Sequence, residues 1–566
     1  MASSVPEEHL WAAGSCDNFF LTPQTHFRVT MALCMCTLTH SYILLSSFPY
    51  IPFMTMHLAK GTDEENVGGY ASIISASFVV GRACTSYAWS MWADIYGRKT
   101  MLYLSLWFSC LFTLLFGIST SFWHAVVFRF LLGLCNGIMG TAKTTVYELA
   151  GGSHKLETRG INLVMGMWGW GFLLFPALSG ALADPIRQHP IKPGFETLKV
   201  MLDRYPFLLP NIVGAMMCMV SAACVSIYVI EPMSSVERRS YKYIPYDLLR
   251  WWVIALRSFS TSVKGESKEQ LYLDEQVHFI PNYRSLQHNS VDESFETVIS
   301  KDIFDTTMTY SESCSFLAAA ENSALIEIDR PHISIKDEEH QVTLWSLWST
   351  EVIRRNLVVY WLSSFLSVSL ETIFPLFCMS HTAGLGLLEN SIGSILSLGG
   401  FMFVICQCFI FPAIIRKCGL CTSIRIVTVL MIPVVTLTPL SLQLNNGMMK
   451  GQINTRTLVF LGMIMAANRI LGNILLSGVL LALNRIVPAH HRGSLNTMLL
   501  LGGSCVKVVA PICAGLLAAF MFSSSLLPEI SITVIFGTLG VFQLLLAVFA
   551  IQYVKDEELE IHEDDD

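Results

Sequence analysis

Apolar runs long enough to cross a bilayer, about 20 residues each, recur along the chain in two sets of six. The first set lies near 29–56, 67–92, 101–119, 122–148, 161–183 and 206–231. The second lies near 356–379, 389–415, 421–442, 457–484, 492–521 and 526–553. Short polar or basic stretches separate the runs within each set. The pattern predicts an all-α membrane protein with twelve transmembrane helices. Residues 1–28 then form a polar N-terminal segment, 29–231 and 356–553 two six-helix halves, 232–355 a linker and 554–566 an acidic tail. In the linker, 241–259 is too short and too charged to span. Trp251 and Trp252 beside Arg250 and Arg257 suit a helix in the headgroup region. Residues 260–340, rich in Ser, Glu, Asp and Lys, read as a disordered linker open to phosphorylation or, equally, as a passive tether.

The two sets repeat each other. Phe48-Pro49 has a counterpart in Phe374-Pro375, and Arg129…Gly133 in Arg469…Gly472. Arg159-Gly160 matches Arg492-Gly493, and Pro176…Gly180 matches Pro511…Gly515. The offsets cluster at about 330 residues, which chance apolar runs would not give. Repeated six-helix halves imply a pseudo-two-fold axis along the membrane normal and a central cavity between them. Alternating access uses such an arrangement.

Composition sharpens this picture. The 566 residues are 53% hydrophobic and only 14% charged, with a mean hydropathy of +0.52, against about 25% charged in soluble domains. The net charge of −7 argues against a nucleic-acid partner. Sixteen cysteines are scattered, and the single Cys418…Cys421 pair is too little for a metal site or a disulfide framework. The N-terminus shows no signal-peptide pattern. Lysine and arginine in the short loops, with Arg238, Arg239, Lys242, Arg250 and Arg257 after the sixth run, place both termini in the cytoplasm. No P-loop is present, so ATP-driven transport is unsupported. No metal site, cofactor or covalent chemistry is expected, and the chain is read as a non-enzyme acting as a monomer in a lipid bilayer.

The second run ends in Asp94-Ile95-Tyr96-Gly97-Arg98-Lys99, a helix reaching water and turning on a glycine into basic residues. With Gly81 and Trp89 ahead of it, this stretch resembles the loop between spans 2 and 3 of major facilitator superfamily transporters, where D-x-x-G-R-K controls how the two halves lock. The fourth run (FRFLLGLCNGIMGTAKTTVYE), the fifth (WGWGFLLFPALSGALADP), YPFLLP at 205–210 and NRIVPAHHRGSLN at 484–496 resemble the zinc-induced facilitator-like branch of its drug:proton antiporter group. The resemblance implies the major facilitator fold and proton-coupled exchange of a small organic solute, metal chelate or ion. It also implies places in the pattern for Arg82, Lys143, Glu148 and Lys507.

Within the fourth run Arg129, Gly133, Asn136, Gly137, Gly140, Lys143, Thr144 and Glu148 recur at steps of three and four, near one small, polar face. Packing explains Gly133 and Gly137, and likewise Gly171, Pro176, Gly180, Pro511 and Gly515. Arg129 is different, because a cation inside a span costs about 2.5–3.5 kcal/mol unless paired or wet. It is expected to face the cavity, binding an anionic group or holding a titrating carboxylate. Glu148 is expected to pair with Arg98, gating the cytoplasmic side and holding an outward-open state. The proton-coupling candidates are Glu371, a carboxylate inside an apolar run, and His40. Arg82, Asn136, Lys143, Arg469, Asn473 and Lys507 are further cavity candidates, as is Trp168, which could stack on a solute although packing also accounts for it. Binding is thus expected between Arg129, Glu371, His40 and Arg469. A proton-independent facilitator of the same fold and a solute sensor signalling through 260–340 are the alternatives.

Overall fold

The computed structural model describes residues 23–59, 61, 66–149, 154–188, 196–231, 241–244, 246, 348–445, 452–487, 492–524 and 527–554. The N-terminal half runs α1 (Pro23–Leu45), α2 (Ile51–Leu58), α3 (Val67–Tyr96), α4 (Arg98–Gly117), α5 (Phe122–Leu134), α6 (Ile138–Leu149) and α7 (His154–Leu182). The short α8 (Pro185–Gln188) and α9 (Glu196–Arg204) lead into α10 (Leu208–Tyr228). The C-terminal half runs α11 (Glu351–Met379), α12 (Glu389–Cys418), α13 (Leu420–Thr436), α14 (Leu440–Leu444), α15 (Thr455–Ile486), α16 (Arg492–Phe522) and α17 (Pro528–Tyr553). Among the described residues ten helical stretches are long and apolar enough to cross a membrane; Glu389–Ile405 and Leu420–Thr436 are apolar but shorter. The interfacial helix expected at 241–259 is described only at 241–244 and 246, and the 260–340 linker lies outside the described residues.

These helices are apolar on the outside. Trp107, Leu111, Met216, Val220, Leu516, Phe520, Val541 and Leu545 are all exposed, spaced so that one stripe of each helix faces lipid. Inward, many hydroxyls bond to their own helix: Thr30 donates to the His26 carbonyl and Ser41 to the Thr37 carbonyl, which satisfies those donors in an apolar medium. The Thr39 and Ser221 hydroxyls, 2.7 Å apart, tie α1 to α10.

Two expected spans are broken. The first stops at Leu45 and resumes at Ile51, because Pro49 cannot donate to the helical ladder. The fourth, read as one helix over 122–148, is interrupted at Cys135-Asn136-Gly137 between α5 and α6. Freed backbone groups at membrane depth need partners, and neighbouring spans supply them. Thr85 Oγ1 and Trp89 Nε1 donate to the Leu134 carbonyl at 2.8 and 2.7 Å. Ser105 Oγ donates to the Cys135 carbonyl at 2.8 Å and accepts from the Gly137 N–H at 2.9 Å. Side-chain stitching of this kind leaves no periodicity signal.

The halves touch closely where glycines allow it. A Cβ on Gly180 would lie 2.5 Å from the Glu389 carbonyl oxygen, and one on Gly393 2.2 Å from that of Pro176. One on Gly515 would lie 2.3 Å from the Gly68 carbonyl oxygen. These approaches join α7 to α12 and α3 to α16 at the end of the bundle remote from the 97–99 turn. One apolar core there also merges Tyr50, Ile51 and Phe53 with Phe374 and Phe377 of the other half.

Candidate functional site

Between the halves lies a cavity of about 120 Å³. The N-terminal half lines it with Leu44 and Leu45 at the end of α1, Phe48 just after it, and Trp168 and Phe172 of α7. The C-terminal half contributes Ser367 and Glu371 of α11, Phe403 of α12, Asn468, Arg469 and Asn473 of α15, and Lys507 of α16. A second chamber of about 60 Å³ shares Phe48, Val368, Glu371 and Lys507 and reaches Ser75 and Pro511. Five of the proton-coupling and cavity candidates named in the sequence therefore meet here: Glu371, Arg469, Asn473, Lys507 and Trp168.

Glu371 and Arg469 form the charged centre. Their Oε1 and Nη1 atoms are 3.5 Å apart, an ion pair longer than a hydrogen bond. The guanidinium carbon sits 3.7 Å from the centroid of the Phe172 ring, which binds a cation face-on. The pair is internal to the C-terminal half, whereas the aromatic platform comes from the other half. Phe172 and Phe403 meet edge to face across the boundary, 6.0 Å between centroids. Phe172 was not singled out in the sequence, where one aromatic in an apolar run carries no signal.

The other candidates lie elsewhere. Arg129 is not among the residues lining either chamber, contrary to the expectation of a cavity-facing cation. It donates to the Ile43 carbonyl at 3.2 Å and the Ser47 hydroxyl at 2.6 Å, between the Phe78 and Phe116 rings at 5.1 and 5.2 Å. The break after α1 offers it an unused carbonyl, and a cation at a helix C-terminus is favourable. His40 also stays outside the lining. It is fully buried beside Trp168, 5.7 Å between ring centroids, and belongs to a polar cluster inside the N-terminal half with Asn136, Arg82 and Lys143. The expected grouping of Arg129 and His40 with Glu371 and Arg469 is thus divided between two places.

The 94–99 turn carries the network expected there, with one addition. Arg98 Nε and Nη2 each lie 2.9 Å from Glu148 Oε1, and Arg98 also pairs with Asp94. Gly97 adopts φ 97°, a conformation that favours glycine. Glu231, just past α10, accepts the backbone N–H bonds of Arg98 and Lys99 at 2.9 and 3.0 Å. It thereby caps α4 at the positive end of the helix dipole. The Lys99 ammonium donates to the Ser226 carbonyl at 2.9 Å. A lone acid at the end of an apolar run gave no sign of this reach in the sequence. The Arg98–Glu148 pair is intact while the remote ends are packed together, so it does not by itself mark a state open at the remote end.

Tight approaches occur at the other singled-out glycines. A Cβ on Gly133 would fall 2.1 Å from the Phe78 carbonyl oxygen, and one on Gly81 2.2 Å from that of Phe130, so α3 and α5 pack backbone to backbone. Gly137 lies under the Trp89 ring and Gly171 against Ser41. A second latch crosses the halves. Arg187 of α8 lies 3.4 Å from the fully buried Glu389 at the start of α12, over the Phe53 ring. Glu389 was passed over because it stands at a span boundary, where acids are usually wet. Among the described residues no group of three or more His, Cys, Asp and Glu is placed to hold a metal ion.

Comparison with known proteins agrees with the fold. The profile of the Major Facilitator Superfamily matches residues 33–479. A probable peptide/nitrate transporter of Arabidopsis thaliana is 25% identical over 88% of this chain and 83% of its own length. The Arabidopsis protein Zinc Induced Facilitator-like 1 is 25% identical over 83% of this chain and 80% of its own. A multidrug transporter of Aspergillus fumigatus is 27% identical over 73% and 66%. Among solved structures, a bacterial homologue of the lysosomal transporter Spinster superposes with a TM-score of 0.58 at 12% identity, covering 95% of this chain and 99% of that one.

Proposed function

We infer the function from one fixed premise: this chain belongs to the Major Facilitator Superfamily. It is a membrane transporter by family, and we propose that it is a secondary active one, moving a small solute by alternating access and coupled to protons through Glu371. The observation that carries the reading is the 3.5 Å pairing of Glu371 with Arg469 in a cavity lined by both halves. A carboxylate held this way can exchange its arginine partner for a proton, and rocking of the halves would turn the same group to either side. Twelve helices cross the membrane in this reading, with both termini cytoplasmic. The cavity is completed within one chain, which supports a working monomer. Exchange of solute for protons, as the sequence resemblance implies, would require the two to compete for Glu371.

Reconstitution into liposomes with an imposed pH gradient tests it. Wild type accumulates solute against its gradient from a panel of small organic ions. Glu371→Gln retains solute counterflow but loses accumulation. Accumulation that survives Glu371→Gln would move the proton site elsewhere.

A further inference from the structure

The charges of the cavity point to the substrate class and to the sense of coupling, an inference that rests on the transporter reading above. Arg469 is the clearest signal. Its side chain is 5% exposed, yet none of its three guanidinium nitrogens makes a hydrogen bond to a described residue. Its contacts are an ion pair beyond hydrogen-bond length and an aromatic face. A buried guanidinium with its N–H fork unused is costly, and that fork matches the paired oxygens of a carboxylate, sulfonate or phosphate.

The groups around Glu371 bear this out from every side. Arg469 faces it from α15 and Lys507 from α16. The first turn of the chain offers Phe48, α3 offers Ser75, and α7 and α12 offer aromatic rings. Two cations therefore stand against one carboxylate, leaving the lining one positive charge in excess. A cationic solute would have to be held by Glu371 against both.

We propose that the cavity takes a small organic anion with a flat apolar body, and that this anion and a proton are carried together, as symport. The solute anion reaches Arg469 and Lys507 by displacing the Glu371 carboxylate from them. The displaced carboxylate takes a proton from the aqueous side to which the cavity is open, forming one O–H bond. Solute and proton then favour each other's binding, and by reciprocity each raises the affinity for the other. Once both leave, Glu371 pairs again with the cations and the carrier returns empty. Size fits the same class: an engineered cavity of about 150 Å³ admits benzene, and here about 120 Å³ adjoins a 60 Å³ chamber sharing Glu371 and Lys507.

Calorimetry on the full-length protein with three probes of one shape decides the matter: benzenesulfonate, neutral benzenesulfonamide and cationic benzamidine. Titrations at pH 6 and pH 8, in buffers of different ionisation enthalpy, count the protons exchanged. Benzenesulfonate should bind preferentially, take up a proton, and tighten on acidification by up to about tenfold per pH unit, the limit for one linked proton. Glu371→Gln should bind it independently of pH with no proton uptake, and Lys507→Gln and Arg469→Gln should each weaken binding at least tenfold. Preferential benzamidine binding with proton release overturns the anion inference while leaving a proton-coupled transporter in place. If benzenesulfonate does not bind, or binds without regard to Lys507, the inference fails. pH-independent binding of every probe removes both this inference and the coupling role of Glu371.

Discussion

Arg129 and Arg469 occupy equivalent places in the two halves, and each reaches the first helix of its own half. What it finds there differs. Arg129 meets a helix end, the Ile43 carbonyl and Ser47, and serves as a strut. Arg469 meets Glu371 in the cavity, where it is proposed to bind the solute. The sequence marked both as buried cations that need a partner, and for Arg129 it suggested an anion or a carboxylate where the structure gives a backbone carbonyl and a hydroxyl. That distinction depends on where the chain breaks after α1, which Pro49 only hints at. Arg129→Ala should therefore lower stability by about 1–3 kcal/mol, the range for stranding buried hydrogen-bonding groups, while benzenesulfonate binding survives. Arg469→Ala should abolish binding. Thermal unfolding in detergent, read beside calorimetry, separates the two; loss of binding in a folded Arg129→Ala would return that residue to the cavity.

Among the elements, the interrupted fourth span depends on its neighbours for its backbone bonds. Ser105 serves two groups of the 135–137 break, accepting from one and donating to the other. Trp89 shares the Leu134 carbonyl with Thr85. Ser105→Ala is thus expected to cost more stability than Trp89→Phe, by about 1 kcal/mol or more, measurable as a difference in unfolding temperature. Equal shifts would mean the break is held some other way. The same scale explains Glu231, whose carboxylate caps α4 through Arg98 and Lys99. Glu231→Gln leaves one of those N–H groups facing an amide donor. It should slow the turnover of reconstituted protein several-fold with little change in solute affinity, whereas a matching loss of affinity would place Glu231 at the cavity. Hydropathy made the spans legible because their length is set by the bilayer. It missed the breaks and the cap because each rests on one side chain reaching across to another helix.

For the whole molecule, the internal repeat foretold a cavity between two halves, and the cavity lined by both halves lies there. The state of the bundle was not legible, because it depends on which ends are packed. Here the ends remote from the 97–99 turn are closed by backbone approaches at Gly180, Gly393 and Gly515, tight enough that no side chain fits between. Gly393→Leu should pry this end apart and raise the share of molecules open there, seen as greater labelling of a cysteine introduced at Ser75; unchanged labelling would show the seam to be passive. Rocking of the halves about the Glu371 cavity is the central claim, and double electron–electron resonance tests it most directly. Spin labels on p-acetylphenylalanine introduced at Ile118 and Leu444 report the remote end, and at Leu156 and Ile426 the end of the 97–99 turn. Between pH 8 and pH 5 the two distances should shift in opposite senses, one widening as the other narrows, and Glu371→Gln should remove the pH response. Distances that move together, or not at all, would contradict the account.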